Sequence, residues 1–283
     1  MTEQEWLATS DPRAMVEAVR DNAPPEVAAR RGWAWNPSDR KLRLFACTCA
    51  RHGWHQLHDV RSRRGVEIAE RFADGEATPE ELAGARSKAS SARAWRGKPK
   101  HYPQWLAHVC TAISTDSILA VFHRQMEMPH LVPPQTQAHL LRDIVGNPFR
   151  PVTLAACNCG SCVAPGRQHH NGPCAVRRLR TPTVVSLAQA AYEERDEATG
   201  HLDPLRLAIL ADALEEAGCK RELCQECGGS RRIWVDYPPV EPHWNGCHDC
   251  DCGLDPQSFL GHLRSPGPHV RGCWAVDLIL GKE

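Results

Sequence analysis

The chain has 283 residues, enough for about two domains at roughly 150 residues each, and its 34 Lys+Arg are matched by 34 Asp+Glu. A formal charge of zero excludes an overall field built to grip nucleic acid, and a 42% hydrophobic content excludes wholesale disorder. No apolar run reaches the ~18 residues of a membrane span, and MTEQEWLATSDPR has no basic stretch ahead of an apolar core, so neither a transmembrane helix nor a signal peptide is expected.

Helical periodicity dominates. Helices are predicted near 12–21, 40–58, 64–74, 78–95, 104–125, 135–145, 183–197, 204–217 and 271–280. In DRKLRLFACTCARH, Asp39 is a candidate cap, and Leu42, Phe45, Ala46 and Cys49 form one stripe. Cys47 and Cys49 lie about 200° apart on a helix, so they cannot share one ion. Cys49 reads as a small buried hydrophobe, as do Cys110, Cys219 and Cys273. The best-marked helix is 204–217, with Asp203 as cap, Pro204 in the first turn, Leu207, Leu210, Ala211 and Leu214 on one face, and Gly218 as terminator. Pro24-Pro25, Pro133-Pro134 and Asn147–Pro151 read as loops, the last a boundary candidate.

The fourteen Cys are the outlier, ten of them between Cys157 and Cys252. With no export signal the expected compartment is a reducing cytoplasm, where clustered Cys hold metal rather than disulfides. Cys224-Gln-Glu-Cys227 and Cys247-His-Asp-Cys250, nineteen residues apart, form two bidentate clamps that complete a four-thiolate zinc site. Cys252 competes as a fifth ligand. A second site draws four ligands from Cys157, Cys159, Cys162, His169, His170 and Cys174; the set Cys159, Cys162, His170, Cys174 looks like a zinc knuckle, though its loops have other lengths. Between Cys157 and Arg180 the large apolar side chains are Val163, Val176 and Leu179, too few to order the segment by themselves, so either metal holds it or it is a disordered Cys-rich loop. One or two Zn2+ are therefore expected. The organisation is a helical domain over 1–150, a zinc-binding insertion over 151–182, a helical pair over 183–218, a zinc-ribbon-like insertion over 219–256, and a C-terminal helix over 257–283 packing on the body. The fold class is mainly α, a helical body with two small loop or β-hairpin insertions.

Charge is uneven. Residues 1–150 carry 21 basic and 17 acidic side chains, net +4, and residues 151–283 carry 13 and 17, net −4. Residues 40–64 hold seven basic and one acidic residue, and the first Cys cluster adds Arg167, Arg177, Arg178 and Arg180. Arg86, Lys88, Arg93, Trp95, Arg96, Lys98 and Lys100 read as a solvated helix face running into a basic loop, or alternatively as a strip that tracks phosphates and stacks a base. The turn SPGPHVRGCW before the last helix reads as a boundary, or alternatively His269 and Arg271 in it bind an anion at that helix's N-terminus. Asp212, Glu215 and Glu216 read as a solvated face.

The strings TEQEWL, DRKLRLFACTCAR, VEIAERFADG, LLRDIVGNPFRPV, TPTVVSLAQAAYEER, LAILADALEEAGC and HLRSPGPHVRGCWAVDLILGK resemble an uncharacterised, paralogue-rich family of bacterial proteins. The resemblance implies no chemistry beyond Cys segments inserted into a helical body. DPLRLAILADALEEAG is also similar to the repeat-companion domain, and the C-Q-E-C-G-G and C-H-D-C-D-C-G strings resemble the zinc region of J-domain chaperones, with two half-motifs in place of four. No H-E-x-x-H, P-loop, G-x-G-x-x-G or G-x-S-x-G string occurs. The leading expectation is a non-enzymatic, cytoplasmic, zinc-stabilised scaffold that binds a protein partner. A nucleic-acid-binding protein is the alternative, and a metal-dependent hydrolase built around His169-His170-Asn171 is the third reading.

Overall fold

The computed structural model describes residues 1–21, 38–94, 110–111, 132–148, 179–219, 232–235, 243–246 and 256–282. They are mainly helical. In chain order come α1 (Glu3–Ala8), α2 (Pro12–Asp21), α3 (Asp39–His52), a 3-10 turn (Trp54–Gln56), α4 (Val60–Ala73), α5 (Pro79–Ala94) and α6 (Pro134–Val145). There follow α7 (Pro182–Glu193), α8 (Pro204–Glu216), β1 (Arg232–Val235), β2 (His243–Gly246), α9 (Pro256–Leu263) and α10 (Trp274–Leu280). The strands pair antiparallel with Arg232 opposite Gly246 and Val235 opposite His243. No helix of the described residues is long and apolar enough to cross a membrane.

Local chemistry starts these helices. Thr2 and Glu5 form a capping box on α1, and Thr78 and Glu81 exchange the same pair of bonds ahead of α5. Thr181 and Asp203 cap α7 and α8 with a proline next in line. On α3 the cap is Ser38, whose hydroxyl accepts from the Lys41 amide, and not the neighbouring Asp39. Most predicted helices appear within a few residues of their expected ends. The chain after His52 tightens into the 3-10 turn where helix was expected to run to 58. All of 104–125 except Cys110 and Thr111, and all of the Cys-cluster stretch 149–178, lie outside the described residues, as does the boundary at 150.

The core falls into two clusters. The first gathers α1–α6, with Trp6, Met15, Phe45, Leu57, Leu140 and Ile144 among its members, and takes in Val270 from the C-terminal segment. The second gathers α7–α10, where Leu207, Leu210, Ala211 and Leu214 are buried as their spacing predicts. Helix α3 is the centre of the first: Leu42 to Arg51 are all buried, so both faces are covered and Cys47 and Cys49 are each inaccessible despite pointing apart. Burial of each large apolar side chain contributes about 1.5–3 kcal/mol.

The α3 part of the basic run 40–64 accordingly turns inward, while Arg61 and Arg64 stay exposed. Arg40 bonds both Asp74 and Asp277. Lys41 bonds Asp277, and Arg51 clamps both oxygens of Glu70 through its Nε and Nη2. Charges taken out of water need such partners, which is why the cations fold inward with their carboxylates.

Candidate metal centre

The two core clusters meet at a group of four side chains. Asp143 sits in the last turn of α6, His262 near the end of α9, His269 in the loop after it, and Cys273 at the N-cap of α10. One donor atom from each lies within 4.8 Å of the others. His269 Nδ1 is 2.7 Å from Asp143 Oδ1, and His262 Nε2 is 3.1 Å from the same oxygen. Cys273 Sγ lies 3.3 Å from His262 Nε2 and 4.0 Å from His269 Nδ1. Asp143, His269 and Cys273 are buried, and the His262 side chain, at 19% exposure, forms the solvent-facing edge.

The direction of the nitrogens distinguishes this group from a catalytic relay. A Cys–His–Asp relay uses opposite nitrogens of one imidazole, one toward the nucleophile and one toward the carboxylate. Here each imidazole turns a single nitrogen toward both the sulfur and the carboxylate. His269 directs its other nitrogen to Ser265, 3.2 Å from Oγ and 3.2 Å from the carbonyl oxygen. The second carboxylate oxygen of Asp143 accepts from the Val270 amide at 2.9 Å. Outward bonds of this type orient metal ligands. In a zinc tetrahedron with bonds of about 2.0–2.3 Å, ligand atoms stand about 3.3–3.8 Å apart, a value inside the observed spread. This buried Asp/His/His/Cys group could hold a metal ion.

Electrostatics tie the four together. Burial disfavours the Asp143 carboxylate, but the hydrogen bonds and charges of His262 and His269 hold it well below the usual carboxylate range. Burial works against a charged His269, and the bond to Asp143 outweighs it, raising its affinity for a proton. Burial, reinforced by the Asp143 charge, pushes the Cys273 thiol up, while the Val276 and Ala275 amides pull the other way.

Neighbouring elements fix the frame. The Leu202 amide donates to the His269 carbonyl at 2.8 Å, and His201 and Val270 form an isolated antiparallel bridge. The indole of Trp274 lies 5.1 Å from the His262 ring and 5.6 Å from Phe259. It rests on Gly146, whose φ of +78° ends α6, so closely that a Cβ there would stand 3.1 Å from the indole.

The expected ligands Cys224, Cys227, Cys247 and Cys250, and the set Cys157, Cys159, Cys162, His169, His170 and Cys174, lie outside the described residues, as does Cys252. Among the basic-strip residues, Lys88 is exposed and Arg86 half-buried on α5. The Arg93 side chain and Trp95, Arg96, Lys98 and Lys100 lie outside the described residues. The anion expectation for His269 and Arg271 is overturned, because each is occupied by carboxylate: His269 by Asp143, and Arg271 by Asp74 with Glu76 nearby. Asp212 and Glu215 are exposed, yet they hold Arg264, the residue after α9, at 2.6 and 2.9 Å. Cys273 is buried as expected and is also a donor of the four-ligand group. Its spacing with His269, H-x3-C, is the one short-range signal in the sequence that marked this site.

No protein family, no curated protein and no solved structure matches the chain.

Proposed function

We propose that the chain is a zinc-stabilised cytoplasmic scaffold whose metal is structural and whose loops engage a protein partner. The observation that carries this reading is the convergence of four buried or half-buried donor atoms at the seam between two cores. Two nitrogens, one carboxylate oxygen and one thiolate suit a borderline ion such as Zn2+. With four protein ligands the coordination is closed, the pattern of a structural rather than a catalytic zinc. Asp143 comes from the first cluster's helices and Cys273 from the second's, so one ion would clip the two together.

The hairpin supports the expected four-thiolate site in the same scheme. Arg232 pairs with Gly246, so the open ends of β1 and β2 are adjacent. Cys227 precedes β1 by five residues, and Cys247 follows β2 directly. A hairpin joining two C-x2-C clamps is the arrangement of a zinc ribbon.

Native mass spectrometry of the intact chain tests the proposal. Zinc should be retained, Cys273→Ser should lose one equivalent, and Cys224→Ser with Cys247→Ser should lose another. Melting at lower temperature in excess chelator is expected for the wild type. A metal-free native chain whose melting ignores chelator would overturn the reading.

A further inference from the structure

Residues 269–277 serve two sites at once. His269, Cys273 and the Val270 amide face the Asp143 and His262 side, while Arg271 and Gly272 between them are anchored elsewhere. Arg271 Nε donates to Asp74 Oδ2 at 2.7 Å, and its guanidinium lies 5.1 Å from the centre of the Tyr192 ring. The Gly272 carbonyl accepts from Lys41 Nζ at 3.0 Å. One turn further on, Asp277 takes Arg40 at 2.6 and 2.9 Å and Lys41 at 2.7 Å. Asp74 completes the ring, bonding Arg40, Tyr192 and Arg271. Gly272 has a φ of +94°, and a Cβ there would stand 2.8 Å from Leu44 Cδ1. The strap therefore has no room to retreat toward α3.

A short backbone stretch held this closely cannot reposition His269 and Cys273 without also moving Arg271. Close-packed interiors switch between discrete arrangements rather than deforming by degrees. We propose that the metal centre and the buried ion network are coupled through this strap, so that Asp74 and Asp277 set the affinity for a metal they do not touch. The inference rests on the four-ligand group being a metal site. An ion binds tightly only where His269 and Cys273 are both aligned with Asp143 and His262, which is the docked strap, and so it draws the strap toward that state. Coupling of binding free energies is reciprocal: the ion protects the network, and the network strengthens the ion's hold.

The test is zinc affinity of the full chain, measured by competition with a chromophoric chelator, alongside amide hydrogen exchange with and without zinc. The binding step that disappears in Cys273→Ser belongs to this site. Asp74→Asn and Asp277→Asn should each weaken that step about ten-fold, within the ~5–150-fold range of allosteric couplings. Arg61→Ala, which breaks an exposed ion pair with Asp59 elsewhere, should leave it unchanged. In the wild type, zinc should slow exchange at residues 40–44 as well as 270–277, a readout that does not depend on any variant folding. If Cys273→Ser removes no step, the metal reading fails and the coupling with it. If the step is present, but both Asp variants bind zinc as the wild type does and exchange at 40–44 ignores zinc, the coupling alone is overturned.

Discussion

Two buried polar regions flank the strap, and they are built on opposite principles. In the network, carboxylates are saturated by cations: Asp74 has Arg40, Arg271 and Lys282 around it, and Glu70 has Arg51 and Arg195. Around Asp143, one carboxylate, two imidazoles and a thiol aim lone-pair atoms at a common point, with protons as the shared currency. A saturated carboxylate is complete as it stands and holds helices together. A convergence of donors leaves a centre that a cation could occupy. Both regions bury a carboxylate, so its partners and the direction in which their donor atoms point separate an ion-pair network from a candidate chelate.

The comparison can be broken by removing charge from the saturated side. Glu70→Ala leaves Arg51 and Arg195 buried without their carboxylate, which should destabilise by about 3–5 kcal/mol. At roughly 2–4 °C per kcal/mol for chains of this order of size, thermal melting should fall by about 10 °C. A drop of only a degree or two would mean that the network contributes little. Gly272→Ala attacks the strap between the regions. Its positive φ and the 2.8 Å approach to Leu44 predict a loss of about 1–3 kcal/mol, read as a lower denaturant midpoint at unchanged slope.

Acidity should separate the two regions by sign. Asp143 is depressed, so its contribution is present above its usual 3.8 and is lost as pH falls through the folded value. His269 is raised, so its contribution is present below 6.5 and is lost as pH rises through the folded value. Chelated protein should therefore be best served by this pair between those limits and weaken above 6.5. Zinc-loaded protein should do the reverse, because the ion displaces protons from His269 and Cys273; its affinity should rise about ten-fold per pH unit for each proton displaced. Asp74 is also depressed, against the cost of its burial, by Arg271, Arg40 and Lys282. Its contribution is lost only as pH falls below 3.8, so the network should be flat across neutrality. Parallel pH slopes for chelated and loaded protein would contradict the assignment. The smallest expected effect is Arg264→Ala: its bonds to Asp212 and Glu215 lie in solvent, and melting should stay within error of wild type.

How much of this is legible in the sequence differs between the two regions. Helix α8 could be read outright, since Asp203, Pro204 and the Leu207/Leu210/Ala211/Leu214 face are local signals, and each does what its position implies. The stripe on α3 was visible too, but its opposite face is also buried, and no periodicity announces a helix enclosed on every side. Arg40, Lys41 and Arg51 look like surface charge until the fold brings Asp74, Asp277 and Glu70 to them. The candidate metal centre was the least legible. Asp143 and His269 stand 126 positions apart, and LLRDIV marks Asp143 only as a polar residue on an amphipathic helix. Cys pairs in C-x2-C spacing advertise themselves, whereas ligands assembled from three helices and a loop do not. Turn chemistry gave SPGPHVRGCW as a helix boundary, which it is, without revealing that His269 and Cys273 meet a carboxylate from the other core.

The seat of Trp274 has a practical outcome. Its indole lies on Gly146 at the end of the helix that supplies Asp143 and against the ring of His262. The protein thus carries a built-in optical gauge at the door of the cluster. A paramagnetic ion such as Co2+ arriving there should dim the emission of this indole, and replacing Trp274 with Phe should erase that part of the quenching while sparing the rest of the spectrum.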